Sequence, residues 1–219
     1  MRTPIVTAAL ALAVVPGCLY DESGVDDAET SPLLHRLGDR AVLTLEDSSH
    51  IAITATGADG QRLPTMEADI IQGRTALRST REGVIVVEAL EIDLSDVVVP
   101  PGVLAESAYH VTDLRLRLGL QLGVEPEWSP DHRHAIGRGH ADLLLDWSLV
   151  ADGETYPMAT RKLENTPFEL EVDLDEGNNV TARISTSVAG ELSNFLDRIM
   201  LSDFSMELDA TSMPDIDQN

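Results

Sequence analysis

Three of the six histidines fall within nine residues, at His132, His134 and His140, and Asp142 follows two positions later. Imidazole nitrogen and carboxylate oxygen are donors that zinc and copper accept. His132 and His134 stand two apart, so on an extended segment both side chains leave the backbone on the same side. His140 or Asp142, returning on the following strand, would then complete a three-ligand set for zinc or copper. Against this, Pro130, Gly137 and Gly139 punctuate the segment as an exposed loop, where histidine and arginine are simply solvated. The spacing matches none of the strong zinc signatures, so solvated loop residues are the favoured account.

Other candidate chemistry is thinner. Asp173-Leu174-Asp175-Glu176-Gly177-Asn178-Asn179 packs oxygen donors into a turn, as a calcium loop does. Gly177 falls fifth from Asp173, whereas an EF-hand needs glycine sixth, so a plain acidic hairpin turn is the better account. No G-x-S-x-G elbow, phosphate-binding G-x-x-x-x-G-K-[ST], H-E-x-x-H or S-x-x-K occurs. With 38 carboxylates, some acid pair will resemble a glycosidase dyad by chance. A hydrolase working through carboxylates alone therefore remains an alternative that nothing in the sequence selects.

The clearest chemical address lies at the start. Arg2 is followed by an apolar run from Ile5 to Val15 and then by Pro16-Gly17-Cys18. A short basic start, an apolar core of about 7 to 15 residues and a small residue at the cut make a secretory signal peptide. The run is shorter than the roughly 20 residues that span a bilayer. Val15-Pro16-Gly17-Cys18 resembles the lipobox of bacterial lipoproteins, with an aliphatic residue three before the cysteine and Gly directly before it; Pro16 and Val15 depart from the commonest residues there. The resemblance covers the first eighteen residues. It implies cleavage before Cys18 and lipid on its thiol, with two or three acyl chains giving lasting attachment. Leu19 directly after the cysteine resembles the outer-membrane sorting pattern of enteric bacteria, which implies a bacterial cell envelope location. Cys18 is the only cysteine, so it has no disulfide partner.

Composition narrows the partners. The net charge of −23 becomes −24 once residues 1–17, whose only charge is Arg2, are removed. Such a field repels phosphates, which excludes nucleic acid and leaves an envelope protein or glycan as the partner class. Lys162 is the only lysine among 15 basic residues. Many carboxylates with almost no lysine resembles the composition of proteins from salty surroundings.

These residues must be positioned by strands. Leu114, Leu116, Leu118, Leu120, Leu122 and Val124 alternate with polar residues, a period of two that no helix reproduces. Gly119 and Gly123 predict a bend in that strand. Alternation recurs at 41–45, 51–56, 84–94 and 143–149. Phe168 to Leu174 and Val180 to Thr186 flank the acidic turn as a hairpin. Leu192, Phe195, Leu196, Ile199 and Met200 instead follow helical spacing and predict one short C-terminal helix.

The expectation is therefore a mainly β protein, an antiparallel β-sandwich or flattened barrel with one short C-terminal helix. Residues 1–17 form the signal peptide, 18–33 an acidic flexible tether, 34–210 a single β domain and 211–219 a disordered tail. Functionally, the sequence favours a non-catalytic binding or structural domain held on a membrane through Cys18, with no cofactor required and zinc or copper as the alternative.

Overall fold

The computed structural model describes residues 31–212, apart from 39, 58–61, 63–64, 100–108, 152 and 197–198. The expected signal peptide, Cys18, most of the expected tether and the residues from 213 onward lie outside the described residues. A short helix, α1 (Pro32–Leu37), leads into β1 (Ala41–Leu45), β2 (His50–Gly57), β3 (Met66–Ala68), β4 (Ile70–Ser79) and β5 (Ile85–Leu94). There follow β6 (Val97–Val99), β7 (Tyr109–Leu118), β8 (Leu122–Val124), β9 (Glu127–Trp128), β10 (His134–Ala151), β11 (Glu154–Pro157), β12 (Arg161–Leu174), β13 (Val180–Leu196) and β14 (Ile199–Ser212).

Eight strands, β1, β4, β5, β7, β10, β12, β13 and β14, pair antiparallel in that order, and β1 closes the circle on β14 through Leu43↔Ser212 and Leu45↔Ala210. The result is a closed, essentially up-and-down barrel, which removes the free edges an open sheet would leave. β2 runs on from β1 along the same side of β14, with Ile51 opposite Met206. Eight strands enclose an interior just wide enough for side chains to fill. Leu77, Ile92, Leu116, Leu170 and Leu208 fill it and are fully buried. Each such burial contributes about 1.5–3 kcal/mol.

The expected mainly β architecture is what forms, and the 168–174/180–186 hairpin appears with Leu174 opposite Val180. The run from Leu114 does bend: β7 ends at Leu118, Leu120 is 77% exposed between strands, and β8 resumes at Leu122.

Three expectations need correction. The one helix among the described residues stands at the N-terminal side, not the C-terminal one. Ser31 caps it by accepting the Leu34 N–H at 3.3 Å, Pro32 starts it and Gly38 at φ 46° ends it. Leu33, Leu34 and Leu37 are buried, Ser79 Oγ donates to Leu34 O at 3.1 Å, and Arg36 Nε donates to Asn178 O at 3.0 Å, so α1 plugs one barrel end. Of the segment expected to be helical, Leu192 to Leu196 lie in β13 and Ile199 and Met200 in β14. Register shifts between Ala189 and Ser193 and between Asn194 and Leu196 insert extra residues, which turns a period of two into spacings of three that imitate a helix. Finally, ordered structure extends past both expected limits of the β domain, 34 and 210. Leu33 is core instead of tether, and Thr211 pairs with Thr44 and Thr181 instead of fraying.

Candidate functional site

The hairpin from β9 to β10 decides where the histidines go. Ser129 N–H donates to His134 O at 2.9 Å and His132 N–H to Ser129 O at 3.0 Å, closing a loop over Pro130–Arg133. Asp131 stiffens it by accepting from Ser129 Oγ at 2.6 Å and from the Arg133 N–H at 3.3 Å. The Ser129 hydroxyl first, and then the Arg133 amide, hold the Asp131 carboxyl below the usual carboxylate range. Inside this loop His132 takes φ 53° and stacks on Trp128, with ring centroids 5.9 Å apart. The loop is not extended, so the expected shared side for His132 and His134 does not arise.

His134 begins β10 directly opposite Asp173 of β12. Its Nδ1 lies 2.6 Å from Asp173 Oδ1 and its Nε2 lies 3.9 Å from Glu171 Oε1. One ligand atom from each of the three residues falls within 4.8 Å of the others, all half-buried on the outer face. This is the one such group among the described residues, and His134 is the only expected ligand in it. His140, six residues along β10, is about 20 Å away at strand rise and faces Pro167. Asp142 sits at the register shift between Ala141 and Leu143, is ion-paired to Lys162 Nζ at 2.8 Å, and accepts the Asn165 N–H at 3.0 Å. The Lys162 hydrogen bond, then the Asn165 amide, lower its carboxyl pKa. The expected set His132, His134, His140 and Asp142 therefore does not converge, and the group that can hold a metal is His134, Glu171 and Asp173.

Asp173 bonded to Nδ1 leaves Nε2 facing Glu171, so as the side chains stand Asp173 orients the imidazole, as a carboxylate does beside a metal-binding histidine, and Nε2 and Glu171 are the two donors left free to meet an ion. Zinc with bonds of about 2.0–2.2 Å at tetrahedral angles sets its N and O donors about 3.3 Å apart. The Nε2–Oε1 separation of 3.9 Å is wider than that by about 0.6 Å.

A second feature crosses the outer face nearby. A groove of about 640 Å³ spans β10, β12, β13, β14 and β2, and Arg138, His140, Glu169, Ser185, Ser205 and His50 form its sides. Arg138 Nε is paired to Glu169 Oε2 at 2.7 Å, and His50 Nε2 faces Glu207 Oε2 at 4.0 Å. Around the barrel, cross-strand pairs of the same kind recur: Arg115 with Asp93 at 2.6 Å, Arg117 with Asp146 at 2.8 Å, Arg183 with Asp209 at 2.8 Å. Arg117, followed by the Thr160 hydroxyl, depresses the Asp146 carboxyl; Arg183 is the main cause for Asp209. For Asp93 the Gln72 amide leads and Arg115 follows.

Sequence reasoning missed Glu171 and the groove, and took Asp173 only as an oxygen donor of the acidic turn. The signal for the two acids was present, since Glu169, Glu171 and Asp173 alternate with buried Leu170, Val172 and Leu174 and so share the outward face of one strand. What placed them beside His134 was the pairing of β10 with β12, which alternation does not encode. The architecture defines the class, a closed up-and-down barrel with a helix in one end and a polar groove on its wall. No known protein-family model matches the chain, and no curated protein matches it in sequence.

Proposed function

We propose that the chain is a lipid-tethered, non-catalytic binding domain of the bacterial cell envelope, held on the outer membrane through Cys18 and recognising an envelope protein or glycan through the groove across β10, β12, β13, β14 and β2. The groove carries this reading: about 640 Å³ is the size of a ligand site, and its sides alternate hydroxyl, imidazole and paired charge. Such sides offer hydrogen bonds without a strong net field, as an uncharged or mixed partner requires. Two measurements test it. Intact-mass spectrometry of membrane-extracted protein should give a chain beginning at a di- or triacylated Cys18; an unmodified thiol in protein released to the medium overturns the tether. A photo-crosslinker at Ser187 should capture an envelope component that the same probe at Ile71 does not, and a Ser185→Arg substitution should abolish the capture. Equal capture from both positions removes the groove from the reading.

A second reading is favoured by one observation, the convergence of His134 with Glu171 and Asp173. In it the domain holds one zinc or copper ion on its outer face. Protein purified without a histidine tag should then carry near-stoichiometric metal that His134→Ala removes. Binding should weaken as pH falls, because protons compete for the donor atoms. Metal content unchanged in His134→Ala discards this reading.

A further inference from the structure

The ladder between β12 and β13 runs from Leu174↔Val180 only as far as Glu169↔Ser185. Beyond it, β12 from Arg161 to Phe168 is paired with β10 and β13 from Thr186 onward with β14, and among the described residues no further rung joins β12 to β13. Pro167 stands where the ladder stops. Asp175 N–H donates to Asn179 O at 3.0 Å across the turn. Alternation from that pair directs the backbone polar groups of the odd-numbered residues, Asp173 to Pro167 on β12 and Thr181 to Ala189 on β13, at the facing strand. Pro167 has no N–H to give to Ser187, so the next rung does not form. The Thr186 hydroxyl donates to Pro167 O in its place.

Below this point the two strands part. Asn165 takes φ 52° and the register against β10 slips between Ala141 and Leu143, a bulge that bends β12 along with β10. β13 instead continues beside β14 to Leu196. Ser187 and Ala189 thereby keep backbone N–H and C=O groups aimed into the gap, where the ladders give them no partner strand. Ser187 is exposed, and the groove lies over the gap, with Pro167, Glu169, Ser185 and Ser187 in its lining. An unpaired edge of this kind is a template for another strand. Its regular part is short, because the register shifts between Ala189 and Ser193 interrupt it after two rungs.

Resting on the reading of the groove as a binding face, we propose that the partner is an extended peptide segment with no net negative charge, added as a strand to the β13 edge at Ser187 and Ala189. Laid antiparallel to β13, it runs in the direction of β12 and takes the place in the strand order that β12 gives up at Pro167. The match is one of backbone. Each of the two residues offers one N–H and one C=O, and an antiparallel strand returns one of each at every second position. The pairing uses the edge and the outer face, and the filled interior stays as it is. Charge sets the kind of segment: Glu169 and Glu207 flank the gap, Arg138 is already bonded to Glu169 at 2.7 Å, and the chain carries −23. An acidic segment would be repelled. A second copy of the chain is disfavoured on the same ground, since joining two β13 edges about a two-fold axis brings two chains of −23 together over an edge with two regular rungs.

The test is an NMR titration of the full chain carrying Cys18→Ser, which bears no lipid of its own, with a short peptide of alternating threonine and valine that has a lysine at each end. It should shift the Ser187 and Ala189 amides and slow their hydrogen exchange. The same peptide N-methylated throughout has no amide donors and should shift neither. A version with glutamate at each end should bind at least tenfold more weakly, and equal binding overturns the assignment of charge. Equal shifts from the methylated peptide, centred on Ser185, Ser205 and Glu207, mean recognition by side chains; they overturn strand addition and leave the groove as a binding face. No shift with any peptide also overturns strand addition, and capture by the crosslinker at Ser187 then decides the groove reading separately. Ser187 and Ala189 amides that are protected in the free protein and lose protection on dilution give the edge to a second copy and overturn the peptide. Ser187→Pro removes one N–H from the gap without touching the ladder to β14, whose amides come from even-numbered residues. It should weaken the lysine peptide at least fivefold with an unchanged circular dichroism spectrum, and wild-type affinity in the folded variant overturns the edge. Should Ser187→Pro not fold, the methylated peptide on the unsubstituted edge decides the same point.

Discussion

The two halves of β12 share one strand and differ in almost everything else. From Glu169 to Leu174 it is laddered on both sides, its inward residues Leu170 and Val172 are fully buried, and its acids alternate outward. From Arg161 to Pro167 it is laddered on one side only. There the inward positions are Leu163 and Thr166, three apart, because Asn165 takes φ 52° and the register against β10 slips at Asp142. The difference teaches that strict alternation survives where two neighbours enforce it. One bulge and one residue without an N–H are enough to open a barrel wall locally while the rest of it stays closed.

The largest effect should separate the halves by stability. Leu170→Ala removes a fully buried side chain from the doubly paired half and should cost about 3 kcal/mol in urea denaturation. Glu164→Ala, on the exposed side of the singly paired half, should stay within about 0.5 kcal/mol. Comparable losses at both would break the distinction.

A direct repair comes next. Pro167→Val returns the missing N–H at a position aimed at β13, so the ladder should advance by one rung. One added hydrogen bond, from the residue-167 N–H to Ser187 O, is worth about 1 kcal/mol, and closing the rung lets the Ser187 N–H donate to residue 167 O in return, which should slow its exchange roughly fivefold. Exchange at the wild-type rate would mean that the bulge at Asn165, and not the proline, sets the gap.

How much of this contrast the sequence carries depends on the half. Phe168 to Leu174 and Val180 to Thr186 announce their strands, because both faces of each obey one period and the turn between them is rich in Gly and Asn. Pro167 was equally visible as a residue, yet its consequence depends on which neighbour its backbone faces, and that is a property of the closed barrel. The same limit applies to His134. Its own strand is readable, whereas its partners Glu171 and Asp173 arrive through a pairing across an intervening stretch of 37 to 39 positions. The C-terminal segment misled for the opposite reason, since bulges gave strand residues a helical spacing. Short local order was legible, and the registers that assemble a site from distant strands were not.

A smaller effect should come from acid. Arg183 at 2.8 Å holds the Asp209 carboxyl below its unfolded value, with the Ser48 hydroxyl adding to the effect. A depressed folded pKa gives stability that is fully present above the unfolded value of about 3.9 and is lost as pH falls through the folded one. Asp209→Asn should therefore lower stability at neutral pH by about 1 kcal/mol. It should also flatten the acid limb of a urea-midpoint profile below about pH 4. An unchanged limb would place the acid sensitivity elsewhere on the belt, with Asp146 beside Arg117 the next position to test.

Salt should give the smallest shift, and its sign is a contest between two populations of the same side chains. Pairs such as Arg138–Glu169 and Arg183–Asp209 attract, and added NaCl weakens them. Exposed pairs are each worth about 0–1 kcal/mol, so screening them removes only part of a small quantity. Against 15 basic residues stand 38 acids, so even complete pairing leaves an excess of 23 carboxylates repelling one another along the chain. Screening relieves that repulsion at every separation beyond the Debye length, about 3 Å at 1 M salt, and the surplus is larger than the set of pairs it competes with. The melting temperature should accordingly rise between 0.1 and 1 M NaCl, by a few tenths of a kcal/mol expressed as stability. A fall would mean that the cross-strand pairs of the laddered walls outweigh the unpaired acids, and would assign the surface charge to holding strands together.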